Sequence, residues 1–161
     1  MGTFLTARAE ELIAGLSLEP HPEGGYYREI FRSTGLVTPA DGRGPRAALT
    51  TIYFLLPAGI VSRWHRVASD EVWHLYEGGP LEVLAVDPAF SALARNQLEP
   101  HAPVCTVAAG HWQAARTIGD YALTGCTVGP GFDFADFAIL ADDAASASRL
   151  LASWPEVASL I

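Results

Sequence analysis

The chain has 161 residues, half of them hydrophobic, and a formal charge of −8 at pH 7. A chain of this length fits one domain with a sizeable core. Its ten basic residues form no stripe that could neutralise a nucleic-acid backbone. No segment approaches the roughly 18 uncharged apolar residues of a membrane span, and acidic residues stand where a signal peptide is apolar. We therefore expect a cytoplasmic globular protein with no nucleic-acid or membrane partner.

A short amphipathic helix is predicted within residues 1–17. Apolar residues recur there at helical spacing, Thr6 is a candidate cap, and Gly15 lies near the end. Residues 17–25 contain two prolines and two glycines and are predicted to form a loop. We expect His21 in this loop to be solvated or locally hydrogen-bonded, because it has no evident partner.

The central part of the chain, residues 26–140, is predicted to be all-β. Its first strand, residues 26–33, has polar and apolar side chains on both faces, as an edge or subunit-exchange strand does. The next strand, residues 47–56, is apolar almost throughout, so both of its faces are expected to be covered. Short strands then follow with turn signals every eight to twelve residues, the last over 132–140. This pattern favours an antiparallel sandwich or barrel.

The C-terminal tail, residues 142–161, is predicted to be helical. It divides into a helix over 144–151 and a second turn over 156–161, with a break at Pro155. The two cysteines, Cys105 and Cys126, lack metal-site or CxxC spacing and are interpreted as buried reduced thiols. We treat the whole chain, 1–161, as a single domain.

A motif from Gly59 to Gly78 resembles the first motif of the cupin superfamily. His65 and Glu71 follow Gly59 at the cupin spacing, but Val67 stands where that motif has a second histidine. Near the second cupin motif Gly110 fits, while Ala108 replaces its proline and Gln113 its histidine.

Other segments extend this resemblance over nearly the whole chain. LEPHPEGGYYREIFRS, TTIYFLL, LEVLAVD and GCTVGPGFDFADFAIL are similar to those of a branch of small single-domain bacterial and fungal cupins. The resemblance implies an antiparallel jelly roll, or double-stranded β-helix, with short terminal helices. It further implies a homodimer and a pocket for a small molecule that it does not specify.

The pocket is expected around His65 and Glu71, since inward side chains of neighbouring barrel strands converge on one cavity. A firmly held divalent transition metal needs three or four ligands, and this pair with Gln113 supplies at most two strong donors and one weak amide. No cofactor is therefore firmly implied, although such a metal stays open. Without metal, a histidine beside a carboxylate suits a general base.

His74 is a third catalytic candidate. In a regular strand Glu71 and Trp73 face one way and His74 the other, so His74 reaches the pocket only if a β-bulge changes the parity. The alternative is a place on the outer sheet face or at a subunit interface.

Four residues are candidates for binding the substrate. Arg28 could close a partner subunit's pocket if the first strand is exchanged, and its alternative is a surface salt bridge. Tyr53 and Trp73 could form walls for a planar or sugar ligand, or they could belong to the core. By strand parity Gln113 points inward.

Three functions remain open. The first is a metal-independent isomerase or epimerase acting on a sugar-like or other small polar metabolite, with His65 as base. Metal-independent deoxysugar epimerases in the wider cupin superfamily use a comparable barrel histidine. The alternatives are a non-catalytic ligand-binding cupin and a metal-dependent cupin enzyme with an incomplete ligand set, so the sequence leaves open whether the chain is an enzyme.

Overall fold

The computed structural model describes residues 5–161, and these residues form a mainly antiparallel β structure with short helices at both ends. The helices are α1 (Ala7–Gly15) and α2 (Ala144–Ser153), with 3₁₀ helices at Phe134–Asp136, Leu140–Asp142 and Pro155–Leu160. The strands are β1 (Glu19–Pro20), β2 (Tyr26–Arg32), β3 (Leu36–Val37), β4 (Arg46–Ala47), β5 (Thr50–Pro57), β6 (Val61–Arg66), β7 (Asp70–Gly78), β8 (Leu81–Val86), β9 (Leu93–Leu98), β10 (Val104–Val107), β11 (Trp112–Thr117), β12 (Tyr121–Gly129) and β13 (Ala138–Ile139).

Two large antiparallel sheets account for most of the strands. One has the order β1-β2-β5-β12-β7-β10 and the other β13-β6-β11-β8-β9, while β3 and β4 form a separate pair. Non-consecutive strands are neighbours in both sheets, as in a jelly roll rather than a meander. The predicted fold class is confirmed.

The inner core contains side chains from both sheets. Phe54, Trp73 and Leu81 belong to one cluster of buried residues there, because alternate residues of each strand point inward. Cys126 is buried in the same cluster, and Cys105 is half-buried; both are free thiols.

The outer face of each large sheet is partly covered by a terminal helix. Thr6 caps α1 by accepting a hydrogen bond from the Ala9 N–H over 3.2 Å, as the sequence predicts. Helix α1 buries Ala9 and Leu12 against the six-stranded sheet. On the five-stranded sheet, Leu150 of α2 and Leu160 pack in one buried cluster with Trp64 and Trp112. These helices leave the space between the sheets free for a cavity.

The strand predicted over 132–140 is largely wrong. Only Ala138–Ile139 is extended as β13, and Phe134–Asp136 is a 3₁₀ turn. The Asp133 side chain accepts a hydrogen bond from the Ala135 N–H at 2.8 Å and so caps this turn locally. The segment is therefore free to lie beside the cavity instead of pairing along its length.

Within residues 5–161 no helix is both long and apolar enough to cross a bilayer.

Candidate functional site

A cavity of about 450 Å³ lies beside the inner core, between the two sheets. It has the size typical of small-molecule sites. Side chains of five strands, the loop between β1 and β2, and the segment after β12 line it. The lining residues are His21, Glu23, Tyr27, Glu29, Arg32, Thr50, Ile52, His65, Val67, Glu71, Cys126, Val128, Phe132, Asp133 and Phe134.

His65 on β6 is buried in this cavity with a defined tautomer. Its Nδ1 lies 2.7 Å from the Arg63 carbonyl oxygen, an acceptor, so Nδ1 carries a proton and donates. Burial lowers the pKa of His65, although the nearby charge of Glu71 and the bond to Arg63 raise it. The neutral ring therefore presents a lone pair at Nε2, which lies 3.3 Å from Glu23 Oε2.

Glu71 on β7 is the second buried group of the predicted pair. Gln113 Nε2 donates to its Oε2 over 2.5 Å, and Trp73 Nε1 donates to the Gln113 Oε1 over 2.9 Å. Burial raises the pKa of Glu71 to about 7, and the charge of His65 opposes this rise. Glu71 thus exchanges a proton near neutral pH. Its influence on His65 is electrostatic, whereas the Arg63 carbonyl orients the ring.

Glu23 is a site residue that the motif spacing does not indicate. It lies in the tight loop between β1 and β2, which contacts β6 through the Arg63 N–H, a donor to the Glu23 carbonyl over 2.8 Å. Gly24 has φ of +109°, a left-handed conformation that favours glycine, and a Cβ there would lie 2.1 Å from the Val61 carbonyl oxygen. In the sequence, the two glycines after His21 and Glu23 indicate a tight loop. Only the packing of that loop on β6 shows that it brings Glu23 to the cavity.

His21 is locally bonded, as predicted, because its Nδ1 accepts the Glu23 backbone N–H over 3.2 Å. It also lines the cavity, which the sequence did not indicate. Burial lowers the pKa of His21 to about 4. The ring lies edge-on to Tyr27, with centroids 4.5 Å apart, and stacks against Phe134 at 6.2 Å. His21 therefore belongs to an aromatic wall of the cavity.

Arg32 supplies the cationic group among the lining residues. It makes two hydrogen bonds to the Glu29 carboxylate, at 2.9 and 2.7 Å, and a third to the Phe132 carbonyl at 3.0 Å. The first two bonds occupy its guanidinium with a protein carboxylate. With Asp133 also in the lining, the cavity carries no uncompensated positive charge.

The remaining predicted site residues lie outside the cavity lining. Trp73 and Gln113 are buried behind Glu71 and support it. His74 stacks against Tyr76, and Tyr53 packs edge-on to the same ring, on the outer face of the six-stranded sheet. Arg28 is exposed and pairs with Tyr53 in the register of β2 and β5, which places it on that outer face as well.

The donor set around His65 does not fit a firmly held metal ion. Within residues 5–161 no group of three or more His, Cys, Asp or Glu side chains is placed to hold one. The Gln113 Oε1 is engaged by Trp73, and Val67 lines the cavity where the cupin motif has its second histidine. The contacts of His65 and Glu71 are instead made with protein groups.

Solved structures of similar sequence share this architecture. A hypothetical protein from Leishmania major is 32% identical, with 94% of this chain and 96% of that chain covered and a TM-score of 0.81. A protein from Shewanella oneidensis is 35% identical, with 92% and 90% covered and a TM-score of 0.73. No protein in the curated set matches the sequence.

More distant structures share the fold alone. A mutant of oxalate decarboxylase from Bacillus subtilis is 17% identical, with 88% of this chain but 37% of that chain covered, and a TM-score of 0.57. The model of the family described as Cupin superfamily (DUF985) matches residues 10–140, which include the cavity-lining residues. The chain therefore belongs to this family of the cupin superfamily.

Proposed function

We propose that this cupin binds a small, neutral, polar metabolite and catalyses proton transfer at a carbon next to its carbonyl group, as sugar isomerases and epimerases do. His65 is the base. The observation that carries the proposal is the buried His65 ring, whose proton is held on Nδ1 by the Arg63 carbonyl while Nε2 faces Glu23, and both residues line the cavity. A neutral imidazole with a fixed lone pair is ready to accept a proton.

Glu71 stabilises the charged state that follows. When His65 accepts a proton it becomes an imidazolium inside a buried site, which burial alone disfavours. The negative charge of Glu71 favours that imidazolium. Gln113 and Trp73 hold the carboxyl group in place for this purpose.

The character of the cavity supports a neutral ligand. Four of its lining residues, Glu23, Glu29, Glu71 and Asp133, are acidic, and its arginine is already paired with one of them. A phosphorylated or carboxylated ligand would find no free cation among the lining residues. Aromatic side chains on one wall suit the apolar faces of a sugar ring or chain.

Exchange of carbon-bound hydrogen with solvent tests the proposal. The probes are dihydroxyacetone, fructose, tagatose and xylulose, first screened by thermal shift and then followed in D₂O by proton NMR. We expect the protein to accelerate loss of the proton next to the carbonyl of at least one probe, and His65→Gln to lower this rate at least about 100-fold. His101→Gln is the control, because His101 is exposed and lies outside the cavity lining.

Three results would contradict the proposal. Binding of a probe without exchange would favour the non-catalytic ligand-binding module. Exchange that persists in His65→Gln would remove His65 from the reaction. If none of the four sugars raises the melting temperature, the neutral-sugar class is wrong.

We also propose that the chain forms a homodimer through β2 and the adjoining β3–β4 pair. Phe31 on β2 is 51% exposed and Leu36 on β3, which follows β2 in the chain, is 71% exposed. Beyond the short β1, the outer edge of β2 has no neighbour among the described strands. Exposed apolar side chains beside a free strand edge are features of protein interfaces.

A further inference from the structure

The Glu23 carboxyl group lies between two histidine rings. Its Oε2 is 3.3 Å from His65 Nε2 and 3.4 Å from His21 Nδ1. Its Oε1 accepts a hydrogen bond from the Ser62 hydroxyl over 2.7 Å. The side chain is only 8% exposed, so bulk solvent covers little of the carboxyl group.

Both ring nitrogens that face Oε2 present lone pairs. His21 Nδ1 accepts the Glu23 backbone N–H and therefore carries no proton in the neutral ring. His65 uses its proton on Nδ1 to donate to the Arg63 carbonyl, which leaves Nε2 as an acceptor. An ionised carboxylate would place a third lone-pair donor against these two nitrogens. A proton on Oε2 instead makes a hydrogen bond with one of them.

The charges around Glu23 agree with a neutral acid. Burial raises the pKa of Glu23 to about 8, while the Ser62 hydroxyl and the Arg63 charge lower it. The titratable groups that face it are His21 in its own loop, His65 and Arg63 on β6, and Glu71 on β7. Both histidines are buried and kept neutral, and Glu71 is also acidic, so none of these three provides a compensating positive charge.

We propose that Glu23 is the proton-donating acid of the cavity and works as a pair with His65. This inference rests on the proposed function. Without ligand, the Glu23 O–H donates to His65 Nε2 and holds the two groups together. A bound ketose brings its carbonyl oxygen to Glu23 in place of that nitrogen, and the His65 lone pair becomes free to act.

The proton transfers balance within this pair. His65 Nε2 takes the proton from the carbon next to the carbonyl, and the electrons of that C–H bond form a carbon–carbon double bond. The carbonyl π electrons move to oxygen, which takes the Glu23 proton. An enediol, an imidazolium and a carboxylate result, and return of a proton to carbon reverses the charges. Isomerases and epimerases share this enolisation step.

The protonation states can be measured without substrate. Nitrogen-15 NMR of the histidine rings at pH 7 should show Nδ1 protonated in His65 and Nε2 protonated in His21, with His65→Gln and His21→Gln used for assignment. Infrared spectra with carbon-13 glutamate should show a carboxylic-acid band at pH 7 that Glu23→Gln lowers by the share of Glu23, while Glu71→Gln identifies the part that belongs to Glu71. A fully ionised Glu23, or a His65 imidazolium at pH 7, would overturn the proposal even if the enzyme is active.

Measurements of activity are the second test of the proposal. Glu23→Gln keeps the size and hydrogen-bonding capacity of the side chain but cannot release a proton to the substrate. We expect it to lower the exchange rate of the best ketose about 100-fold or more, with little change in KM, and to remove the loss of rate at high pH that deprotonation of Glu23 causes. Glu10→Gln on the exposed side of α1 is the matched control.

The spectroscopic test and the activity test distinguish a failure of the proposed function from a failure of the role proposed for Glu23. If wild-type protein exchanges no probe, the proposed function fails while the NMR and infrared results still decide the state of Glu23. If wild type is active and Glu23→Gln keeps full activity with an unchanged pH profile, Glu23 is not the acid.

Discussion

Gln113 on β11 donates a 2.5 Å hydrogen bond to Glu71 on β7 and so connects the two large sheets beneath the cavity. The amide can do this because its oxygen is occupied by the Trp73 indole N–H. The Trp73 donor thereby sets which end of the Gln113 amide faces Glu71. Gln113 stands where the second cupin motif has a histidine, and it performs a supporting role there.

Replacing Gln113 with leucine should destabilise the protein. The change leaves the Trp73 N–H and the Glu71 carboxyl without their buried partner, at a cost of about 1–3 kcal/mol in the free energy of unfolding. It should also raise the pKa of Glu71, because the bond from Gln113 lowers it. Urea unfolding at pH 6 and pH 8 measures both effects.

Gln97→Leu is the control for this change, since Gln97 is exposed on β9 and should alter stability by less than about 0.5 kcal/mol. Equal effects of the two substitutions would mean that the bridge from Trp73 to Glu71 contributes nothing specific.

The stability of the protein should fall between pH 6.5 and pH 8. Burial raises the pKa of Glu23 to about 8 and that of Glu71 to about 7, both from an ordinary 4.5. The stability that these two acids contribute is complete below pH 4.5, their pKa in the unfolded chain. It is lost as the pH rises through their pKa values in the folded protein. His21 and His65 have lowered pKa values, so the stability that they contribute increases as the pH rises. This increase is complete once the pH exceeds 6.5, the pKa of histidine in the unfolded chain.

The two effects oppose each other between pH 4.5 and pH 6.5, and only the acids act above that range. The expected loss between pH 6.5 and pH 8 is on the order of 1–3 kcal/mol. Chemical unfolding at half-unit pH steps measures it, and Glu23→Gln should flatten the curve between pH 7 and pH 8. Wild-type stability that is constant or rising over this range would contradict the raised carboxyl pKa values.

The sequence predicts the fold well because its signals are local. Alternation and turn residues indicate which segments are strands, the Thr6 cap indicates where α1 begins, and residue parity correctly places His74 on the face opposite Trp73. The same reasoning fails over residues 132–140, where phenylalanines at alternating positions resemble a strand. There the capping bond from Asp133 overrides the pattern.

The site is less predictable, since it depends on contacts between distant segments. His65 and Glu71 are found from motif spacing, and the structure puts both in the lining of one cavity. Glu23 is invisible to such spacing, because it reaches the cavity only through the packing of its loop on β6. Tyr53 is a candidate for its chemistry and Arg28 for its charge on a strand that could be exchanged between subunits, but the register of β2 and β5 places both on the outer face.

Dimer formation through β2 and the β3–β4 pair should be sensitive to charge. Phe31→Glu combined with Leu36→Glu places two carboxylates in the proposed apolar interface and should convert a dimer to monomers in sedimentation velocity. The control is Ile118→Glu, since Ile118 is 58% exposed and lies just before Tyr121, which pairs with Pro57 at the far end of β5. A wild-type protein that is monomeric at a concentration of about 100 µM would refute the dimer.

The shape of the loop between β1 and β2 should prove essential for the site. In Gly24→Ala the new Cβ meets the Val61 carbonyl oxygen at 2.1 Å, and the backbone at φ +109° already disfavours a side chain. The loop must then move away from β6 and take Glu23 with it. We expect a loss of more than about 2 kcal/mol in the free energy of unfolding.

Gly42→Ala separates the two causes of this loss. Gly42 also has a positive φ, +81°, but nothing lies within 4 Å of a Cβ there, so the substitution should cost only about 1 kcal/mol. Urea unfolding of both variants measures the difference, and nitrogen-15 NMR of His65 reports whether its contact with Glu23 survives. If Gly24→Ala costs no more than Gly42→Ala and leaves the His65 resonances unchanged, the close packing of this loop on β6 is not what positions Glu23.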